Sequence, residues 1–396
     1  MARSPRFDGR RVGFGREDLF RKNDDRWHLL HQPKWLIYLQ RHVFDTGASA
    51  GVRRFFGTVG FGSVCFDPYS FCGNWGVIMT MRFYERAALG TSCSFVVRLE
   101  DEGPGRYFDQ MVDEFNQMID ELDLAASRFR LDSEVSRLAG NDGVAMAVSG
   151  LLYDEISQAL RASTITKGYL DPTLGQTISE LGYSKDFELL KAEVQDGLKI
   201  RVVMPSGYRS VVLDPEARSV KVPPGVLLDL GATAKPHLAD RIRDSLLGTY
   251  EVDVLVNLGG DISCFSSDQT NPWYINVTDD QSLNIDSPGE ILGFSSGGVA
   301  TSSIKKRSWS KSGALHHHIL DPYTGRSAVG EIEAVTVLAG SALDANIAST
   351  ATIAMGSFGL AWLESTRLPA IVKLRDGSSS VLGSWPRRRN TRGVSI

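Results

Sequence analysis

The order of strand-like and helix-like segments is the feature that most limits the fold of this chain. Segments 108–126 and 149–166 repeat apolar residues at helical spacing, and 252–258 is a continuous apolar run typical of a buried strand. Further strands are expected at 94–99, 226–230, 273–277 and 334–338, and further helices at 234–247 and 343–355. Strands and helices follow one another without a regular β-α-β alternation, which favours an α+β fold over a doubly wound sheet.

The composition excludes several classes of protein. With 396 residues, of which 42% are hydrophobic, the chain can bury one large core or two smaller ones. Its formal net charge of -4 gives no electrostatic case for binding nucleic acid. The four cysteines form no Cys-x-x-Cys pair and are expected to be buried thiols. No apolar signal segment follows Met1, so we expect a cytoplasmic protein.

Three regions differ in their patterning. Residues 1–85 are rich in arginine and keep neither strand nor helix periodicity for long. We therefore expect an N-terminal extension that is disordered or lies upstream of the true start. Residues 86–385 are expected to form the folded domain, and the basic residues 386–396 a frayed tail.

Two polar segments near the C-terminus indicate a buried site. His317 and His318 stand just before Asp321 and a Pro-Tyr-Thr-Gly turn, which suggests a fixed polar corner. Asn346 and Thr350 lie four residues apart in an alanine-rich run, and this spacing places both on one face of a helix. Two oxygen ligands on one helical face favour a metal site.

Two small-residue segments could hold a phosphate. Gly259 and Gly260 follow the apolar strand 252–258 and precede Asp261, so their backbone could approach a ligand closely and present amide groups. Thr301 and Ser302 add hydroxyl groups. Taken alone, the first segment is explained more simply as a tight turn and the second as a polar loop.

Other polar segments leave alternatives open. In 229–235 a main-chain carbonyl could complete a metal shell and Lys235 could meet phosphate oxygens, although a capped helix start would also explain this segment. Residues 305–307 form either a solvated basic loop or a cover over an anionic ligand. Three adjacent histidines, 316–318, cannot all converge on one ion in regular structure, so one of them is expected to face the site. The chain has no Walker-type phosphate loop and no nucleophile elbow.

The motifs taken in order resemble the ApbE-type flavin transferases, which are FAD:protein FMN transferases. They are the segments 90–91, 127–138, 170–173, 230–235, 259–261, 300–302, 318–325 and 350–356, and the resemblance covers roughly residues 86–385. It implies a two-lobed α+β fold with mixed sheets and a ligand cleft between the lobes. It also implies that FAD binds in the cleft with Mg²⁺ at its pyrophosphate. FMN would then move to a Thr or Ser of an acceptor flavoprotein, with release of AMP.

The resemblance also assigns roles to residues. His318 would be the catalytic base, which suits a side chain whose ordinary pKa lies near neutrality. Metal ligands would come from the Ala234 carbonyl, Asn346 and Thr350. Contacts to FAD would come from Ser133, Asp171, Thr173, Lys235, Gly259, Gly260, Asp261, Thr301 and Ser302.

One departure from the family pattern concerns the metal. The family has Asp where this chain has Asn346, and an amide oxygen can coordinate Mg²⁺ but brings no charge. Asp344 could compensate only if the local helical turn is irregular. Three activities are therefore considered: FMN transfer to a protein, hydrolysis of FAD to FMN and AMP, and non-catalytic binding of FAD.

Overall fold

The computed structural model describes residues 20–23, 26–29, 79–100, 107–184, 204–278, 289–305, 307–311 and 313–386. Of the segments expected to be disordered or frayed, residues 1–85 and 386–396, the structure describes one pair of strands, residues 79–85 and residue 386, and the rest lies outside the described ranges. In that pair, β1 (Phe20–Asn23) runs antiparallel to β2 (Arg26–Leu29). It belongs to a compact unit of residues 1–59, and residues 60–396 form a second unit.

The second unit contains the other strands and the helices of the described residues. The strands are β3 (Met79–Ala88), β4 (Thr91–Glu100), β5 (Met146–Ala147), β6 (Val212–Asp214), β7 (Ser219–Lys221), β8 (Asp253–Leu258), β9 (Asp261–Phe265), β10 (Trp273–Val277), β11 (Glu290–Phe294), β12 (Ser296–Ser303), β13 (Ser308–Lys311), β14 (Ala314–His317), β15 (Leu320–Asp321), β16 (Arg326–Ser327), β17 (Ile332–Ala339), β18 (Ala370–Leu374) and β19 (Ser379–Leu382). The helices are α1 (Phe108–Ala126), α2 (Glu134–Ala139), α3 (Gly150–Ile165), α4 (Gly175–Glu180), α5 (Ala234–Tyr250), α6 (Ala342–Ala354) and α7 (Gly359–Thr366).

One eight-stranded sheet organises the second unit. Its strand order is β19-β18-β17-β12-β9-β8-β4-β3, and smaller sheets are formed by β5-β7-β6, β10-β11, β13-β14 and β15-β16. The architecture is α+β, as the order of strands and helices predicted. The sheets differ in one respect from the mixed sheets that we expected, because each strand pair in the described residues is antiparallel.

Two hydrophobic clusters lie at the two halves of this sheet. Helices α1, α3 and α5 pack on β4 and β8, with Phe95 and Phe115 at the centre of the first cluster. Helices α6 and α7 join β12, β17 and β18 in the second. Gly298 of β12 lies where α6 begins, and a Cβ at this position would stand 2.1 Å from the Ala342 nitrogen. The missing side chain therefore lets α6 approach the sheet closely, which positions its polar residues.

The folded domain begins earlier than expected. The predicted boundary at residue 86 falls inside β3, and β3 pairs with β4 from Met79 to Ala88. Residues 79–85 therefore belong to the sheet as part of its edge strand. Edge strands need bury only one face, so their apolar pattern is weak. Met81 and Phe83 illustrate this, since 41% and 40% of their surfaces are exposed.

Within the part of the chain that the structure describes, no helix is both long and apolar enough to cross a membrane.

Candidate functional site

The turn between β8 and β9 places Asp261 at the start of a buried strand. Gly259 and Gly260 both have positive φ, 74° and 100°, as the favoured two-residue hairpin turns require. The Gly259 N–H donates to the Ser92 carbonyl at 3.0 Å, and the Gly260 N–H donates to Oδ1 of Asn257 at 2.9 Å. The simpler explanation of this segment as a tight turn is therefore confirmed, and in this conformation both N–H groups already have partners.

A chain of hydrogen bonds joins four of the predicted site residues. The Ser302 and Thr350 hydroxyls lie 2.7 Å apart, and the Thr350 hydroxyl donates to Oδ1 of Asn346 at 2.9 Å. Nδ2 of Asn346 in turn donates to Oδ1 of Asp261 at 2.7 Å. Asp261, Asn346 and Ser302 are all buried. The predicted shared face of Asn346 and Thr350 is confirmed, and it lies against β9 and β12.

Two other predicted residues do not join this chain. The Thr301 hydroxyl lies 2.9 Å from that of Thr336 on the neighbouring strand. Successive side chains of a strand point to opposite faces, so Thr301 and Ser302 cannot serve the same ligand face together. Asp344 accepts from Arg161 at 2.6 Å, and 42% of its side chain is exposed. Because α6 is a regular helix, positions 344 and 346 differ by about 200° around its axis, and Asp344 does not compensate for Asn346.

A basic group lies beside Asp261. Lys235 stands in the first turn of α5, with its Nζ 3.4 Å from the Gly231 carbonyl. Burial lowers the pKa of the Lys235 ammonium, and the positive charge of Arg307 lowers it further, while the Asp261 and Asp229 carboxylates act in the opposite sense. Lys235 brings positive charge near one buried carboxylate, and Arg307 adds a second positive charge near Lys235, which suits a polyanionic ligand.

His318 belongs to the same group. Its backbone N–H donates to the Arg307 carbonyl at 3.2 Å, and its Nδ1 lies 3.4 Å from the same oxygen. Burial lowers the pKa of the His318 imidazole to about 3, with Arg307, His317 and Lys235 acting in the same direction. At neutral pH this imidazole is therefore uncharged. With a proton on Nδ1 facing the carbonyl, the lone pair is on Nε2.

The two preceding histidines have structural contacts. The His317 N–H donates to the Ser327 hydroxyl at 2.9 Å, and its Nε2 lies 3.0 Å from the Ala328 carbonyl. The His316 ring stacks on Trp309 with a centroid distance of 6.2 Å. Burial lowers the pKa of both imidazoles. Of the three, His318 is the histidine whose pKa responds to Lys235, which agrees with the expectation that one histidine faces the site.

Three other predicted residues make local contacts. Asp171 accepts from the Thr173 N–H and hydroxyl at 2.9 and 2.7 Å and from the Tyr208 N–H at 2.9 Å. The Thr173 hydroxyl accepts from the Gly207 N–H at 3.1 Å, so this pair holds the segment around residue 208. Ser133 is fully buried and caps α2, accepting from the Ser136 N–H at 3.2 Å and donating to a carbonyl. These contacts fix all three side chains, and their contacts with FAD stay a prediction.

Sequence reasoning missed a half-buried ion pair, Arg128 with Asp229, whose carboxylate acts on the pKa of Lys235. Nε of Arg128 donates to Oδ2 of Asp229 at 2.8 Å, and Oδ1 of Asp229 accepts from the Gly231 N–H at 2.8 Å. Burial would raise the pKa of the Asp229 carboxyl, but Arg128 and the Gly231 N–H outweigh it and keep that pKa below its ordinary value. Both residues lie in segments that the sequence singled out, yet no local spacing connects residue 128 with residue 229.

The donor set suits a hard divalent cation. Asp261, Asn346 and Thr350 offer a carboxylate, an amide and a hydroxyl oxygen that hydrogen bonds hold together. Mg²⁺ prefers oxygen ligands of these kinds. Among the described residues, no group of three or more His, Cys, Asp and Glu could hold a metal ion, so a cation here would depend on neutral oxygens and one acid. Ala234 is the first residue of α5, directly before Lys235.

Comparisons with known proteins identify the family of this chain. A model of the ApbE family matches residues 89–372. An FAD:protein FMN transferase of Vibrio cholerae is 27% identical over 269 residues, covering 67% of this chain and 80% of the relative. The Treponema pallidum protein of the same name is 27% identical over 303 residues, covering 72% and 82%.

Solved structures resemble the fold. The ApbE protein of Thermotoga maritima has a TM-score of 0.63 and 25% identity, covering 77% of this chain and 97% of its own. Flavin transferase ApbE from Vibrio cholerae has a TM-score of 0.62 at 20% identity, covering 78% and 98%, which supports a common fold.

Proposed function

Because the chain belongs to the ApbE family, we propose that it transfers FMN from FAD to a Thr or Ser hydroxyl of an acceptor protein and releases AMP. The names of the Vibrio cholerae and Treponema pallidum relatives support this reaction. The observation that carries the proposal is that Lys235 lies within electrostatic range of Asp261, Arg307 and a neutral His318, with Asp261 at one end of the hydrogen-bonded chain Asp261–Asn346–Thr350.

The reaction forms one phosphoester bond and breaks one pyrophosphate bond. The acceptor oxygen attacks the phosphorus of the FMN half, and the bond to the bridging oxygen breaks. AMP leaves with that electron pair. Negative charge increases on the departing phosphate, and the cationic side chains of Lys235 and Arg307 would stabilise it. Their positions next to a buried, low-dielectric site strengthen this effect.

His318 would take the proton from the acceptor hydroxyl at Nε2. A base must be deprotonated before it can act, and burial together with the neighbouring cations keeps the free imidazole neutral. A bound pyrophosphate places negative charge beside these cations, so it would raise the pKa of His318 toward the range in which a base accepts a proton effectively. The carbonyl of Arg307 would fix the ring orientation through Nδ1.

Magnesium is part of the proposal. Asn346, Thr350 and the Ala234 carbonyl would hold the ion, and Mg²⁺ when bound would neutralise charge on the pyrophosphate. Within a regular helix the Ala234 carbonyl also accepts from the N–H four residues later, so its share in coordination would weaken the first turn of α5. Lys235, Asp261 and Ser302 would stand next to the FAD phosphates.

Intact-protein mass spectrometry tests the proposal. The full-length protein is incubated with FAD, Mg²⁺ and candidate acceptor proteins, and AMP is measured by chromatography in the same samples. The expected result is an acceptor whose mass increases by one FMN group, with one AMP released for each group added. An acceptor whose target hydroxyl is replaced by alanine is the control and should stay unmodified.

Other results would assign another activity. AMP and free FMN formed at the same rate without an acceptor would mean hydrolysis of FAD. Tight binding of FAD without AMP would mean a storage or carrier protein. No binding of FAD at micromolar protein would overturn the proposal.

A further inference from the structure

We infer that Asp261, on the turn between β8 and β9, supplies the negative charge that holds the divalent cation, in place of an acid on helix α6. The inference rests on the proposed function and concerns its metal site. The helix position that would carry an acid is Asn346, and the one acid nearby on α6, Asp344, pairs with Arg161 on the outside. The charge must therefore come from another element.

The orientation of the Asn346 amide identifies that element. Its Nδ2 donates to Asp261 and its Oδ1 accepts from Thr350, so both ends of the amide are fixed by its neighbours. Rotating the amide by half a turn would place its oxygen against the Asp261 carboxylate and its NH₂ group against Thr350, losing the bond to the carboxylate. The observed orientation leaves the amide oxygen and the Thr350 hydroxyl on the same side as Ser302.

The same contact suits an amide at position 346. The donor and acceptor atoms of Asn346 and Asp261 are 2.7 Å apart, and both side chains are buried. Two carboxylates at that distance would repel each other unless a cation lay between them. An amide next to the acid avoids this repulsion and stabilises the charged form of Asp261 through a charge-assisted hydrogen bond.

The resulting ligand set has the charge that Mg²⁺ requires. Mg²⁺ in proteins is commonly bound through one or two carboxylates together with substrate phosphates. Asp261, Asn346 and Thr350 together provide one carboxylate and two neutral oxygens. This is the same total charge as a set with Asp at position 346 and a neutral residue at 261. In this chain the carboxylate would come from Asp261 at the hairpin turn and the amide from Asn346 on the helix.

Mn²⁺ binding to the full-length protein, measured by electron paramagnetic resonance of the free ion, tests this assignment without using activity. Asp261→Asn should lower Mn²⁺ affinity at least tenfold, and Asp344→Asn, on the same helix as Asn346, should leave it unchanged. The double variant Asp261→Asn/Asn346→Asp exchanges the acid and the amide. It should return the affinity to within a few-fold of the original protein.

A second comparison applies if Asp261→Asn fails to fold. Asn346→Asp carries both acids and should bind Mn²⁺ more tightly than the original protein. The double variant, which differs from it only at position 261, should bind at least tenfold more weakly than Asn346→Asp. Equal affinities in this pair, or unchanged affinity in Asp261→Asn, would overturn the inference. So would an original protein that binds no Mn²⁺ with or without FAD. Continued metal-dependent FMN transfer alongside unchanged affinity in Asp261→Asn would leave the proposed function intact.

Discussion

Replacing Asp240 by alanine should destabilise the protein, because this residue joins the two helices that carry the site. Asp240 is a buried residue of α5, and its carboxylate accepts from the N–H groups of Ala342 and Leu343 at 2.9 and 3.0 Å. These are the first two residues of α6, whose N–H groups have no partner within the helix. The same carboxylate accepts from the Ser263 hydroxyl at 2.6 Å and from Arg243 at 3.3 Å.

The size of the effect follows from these four donors. A hydrogen bond to a charged group contributes about 1.5–3 kcal/mol, and removing one partner of a buried charged cluster costs about 3–5 kcal/mol. Arg243 keeps a second partner, Asp244, at 2.7 Å, so the loss falls mainly on the two N–H groups and on Ser263. We therefore expect Asp240→Ala to lower the free energy of unfolding by about 3–5 kcal/mol.

Urea unfolding followed by far-ultraviolet circular dichroism measures this loss. The midpoint should fall with little change in slope, and the melting temperature should fall by roughly 10 °C, since about 2–4 °C is lost per kcal/mol in domains of moderate size. Asp244→Ala is the matched control, because Asp244 shares the helix and Arg243 but has 63% of its side chain exposed. Its expected cost is below about 1 kcal/mol. Equal losses in the two variants would refute the capping role of Asp240.

Three further predictions concern the site and the boundary of the fold. His318→Ala should slow FMN transfer or AMP release about a hundred- to ten-thousand-fold while FAD affinity is kept, whereas His316→Ala should stay near the original rate. A damaging His316→Ala beside an active His318→Ala would show that the wrong histidine was chosen. Because burial lowers the pKa of His318 to about 3, the unfolded chain takes up a proton on this residue below its ordinary pKa near 6.5 and the folded chain does not. The free energy of unfolding should therefore fall as pH decreases from about 6.5 toward 3, and it should fall less steeply in His318→Asn. Urea unfolding at several pH values measures both slopes. Equal slopes in the two proteins would contradict this assignment. A chain that starts at Met79 should keep its melting temperature and FAD affinity. A chain that starts at Gly90 should melt at a lower temperature, because that chain lacks β3 and the contact of the Tyr84 ring with Phe95 and Phe115. Loss of stability already at Met79 would show that residues 1–78 pack on the fold.

Features that depend on neighbours in the sequence were mostly predicted well, but the strand expected at 226–230 was wrong, because these residues form neither strand nor helix. The helix 108–126 has the expected ends, and α6 begins and ends within one residue of the predicted 343–355. The shared face of Asn346 and Thr350 also follows from helical geometry alone, and their hydrogen bond confirms it. In each case the deciding spacing is four residues or fewer, so a single sequence contains the information.

Features that depend on strand geometry or distant partners were not predicted. Thr301 and Ser302 were expected to act together, but the alternation of β12 separates them once the segment forms a strand and not a loop. From the sequence, the amide groups of Gly259 and Gly260 could either meet a phosphate or form a tight turn, and the partners that decide between the two, Ser92 and Asn257, become visible only in the hairpin. The ion pair of Arg128 and Asp229 joins residues from separate segments, and the helix and strand periodicity of a sequence cannot predict such a contact.

The substitution at position 346 shows how a local comparison can mislead. Compared with the family pattern, Asn346 indicates the loss of a negatively charged metal ligand. In the structure its amide stands between a buried acid and a hydroxyl, at a place where a second ionised carboxylate would be repelled. Lys235 and Arg307 already bring positive charge to this region, so an acid that offsets part of it would favour the binding of a divalent cation. For the metal site that we infer, positions 261 and 346 therefore have to be interpreted as a pair, because together they set the number of acids where the β8–β9 turn meets α6.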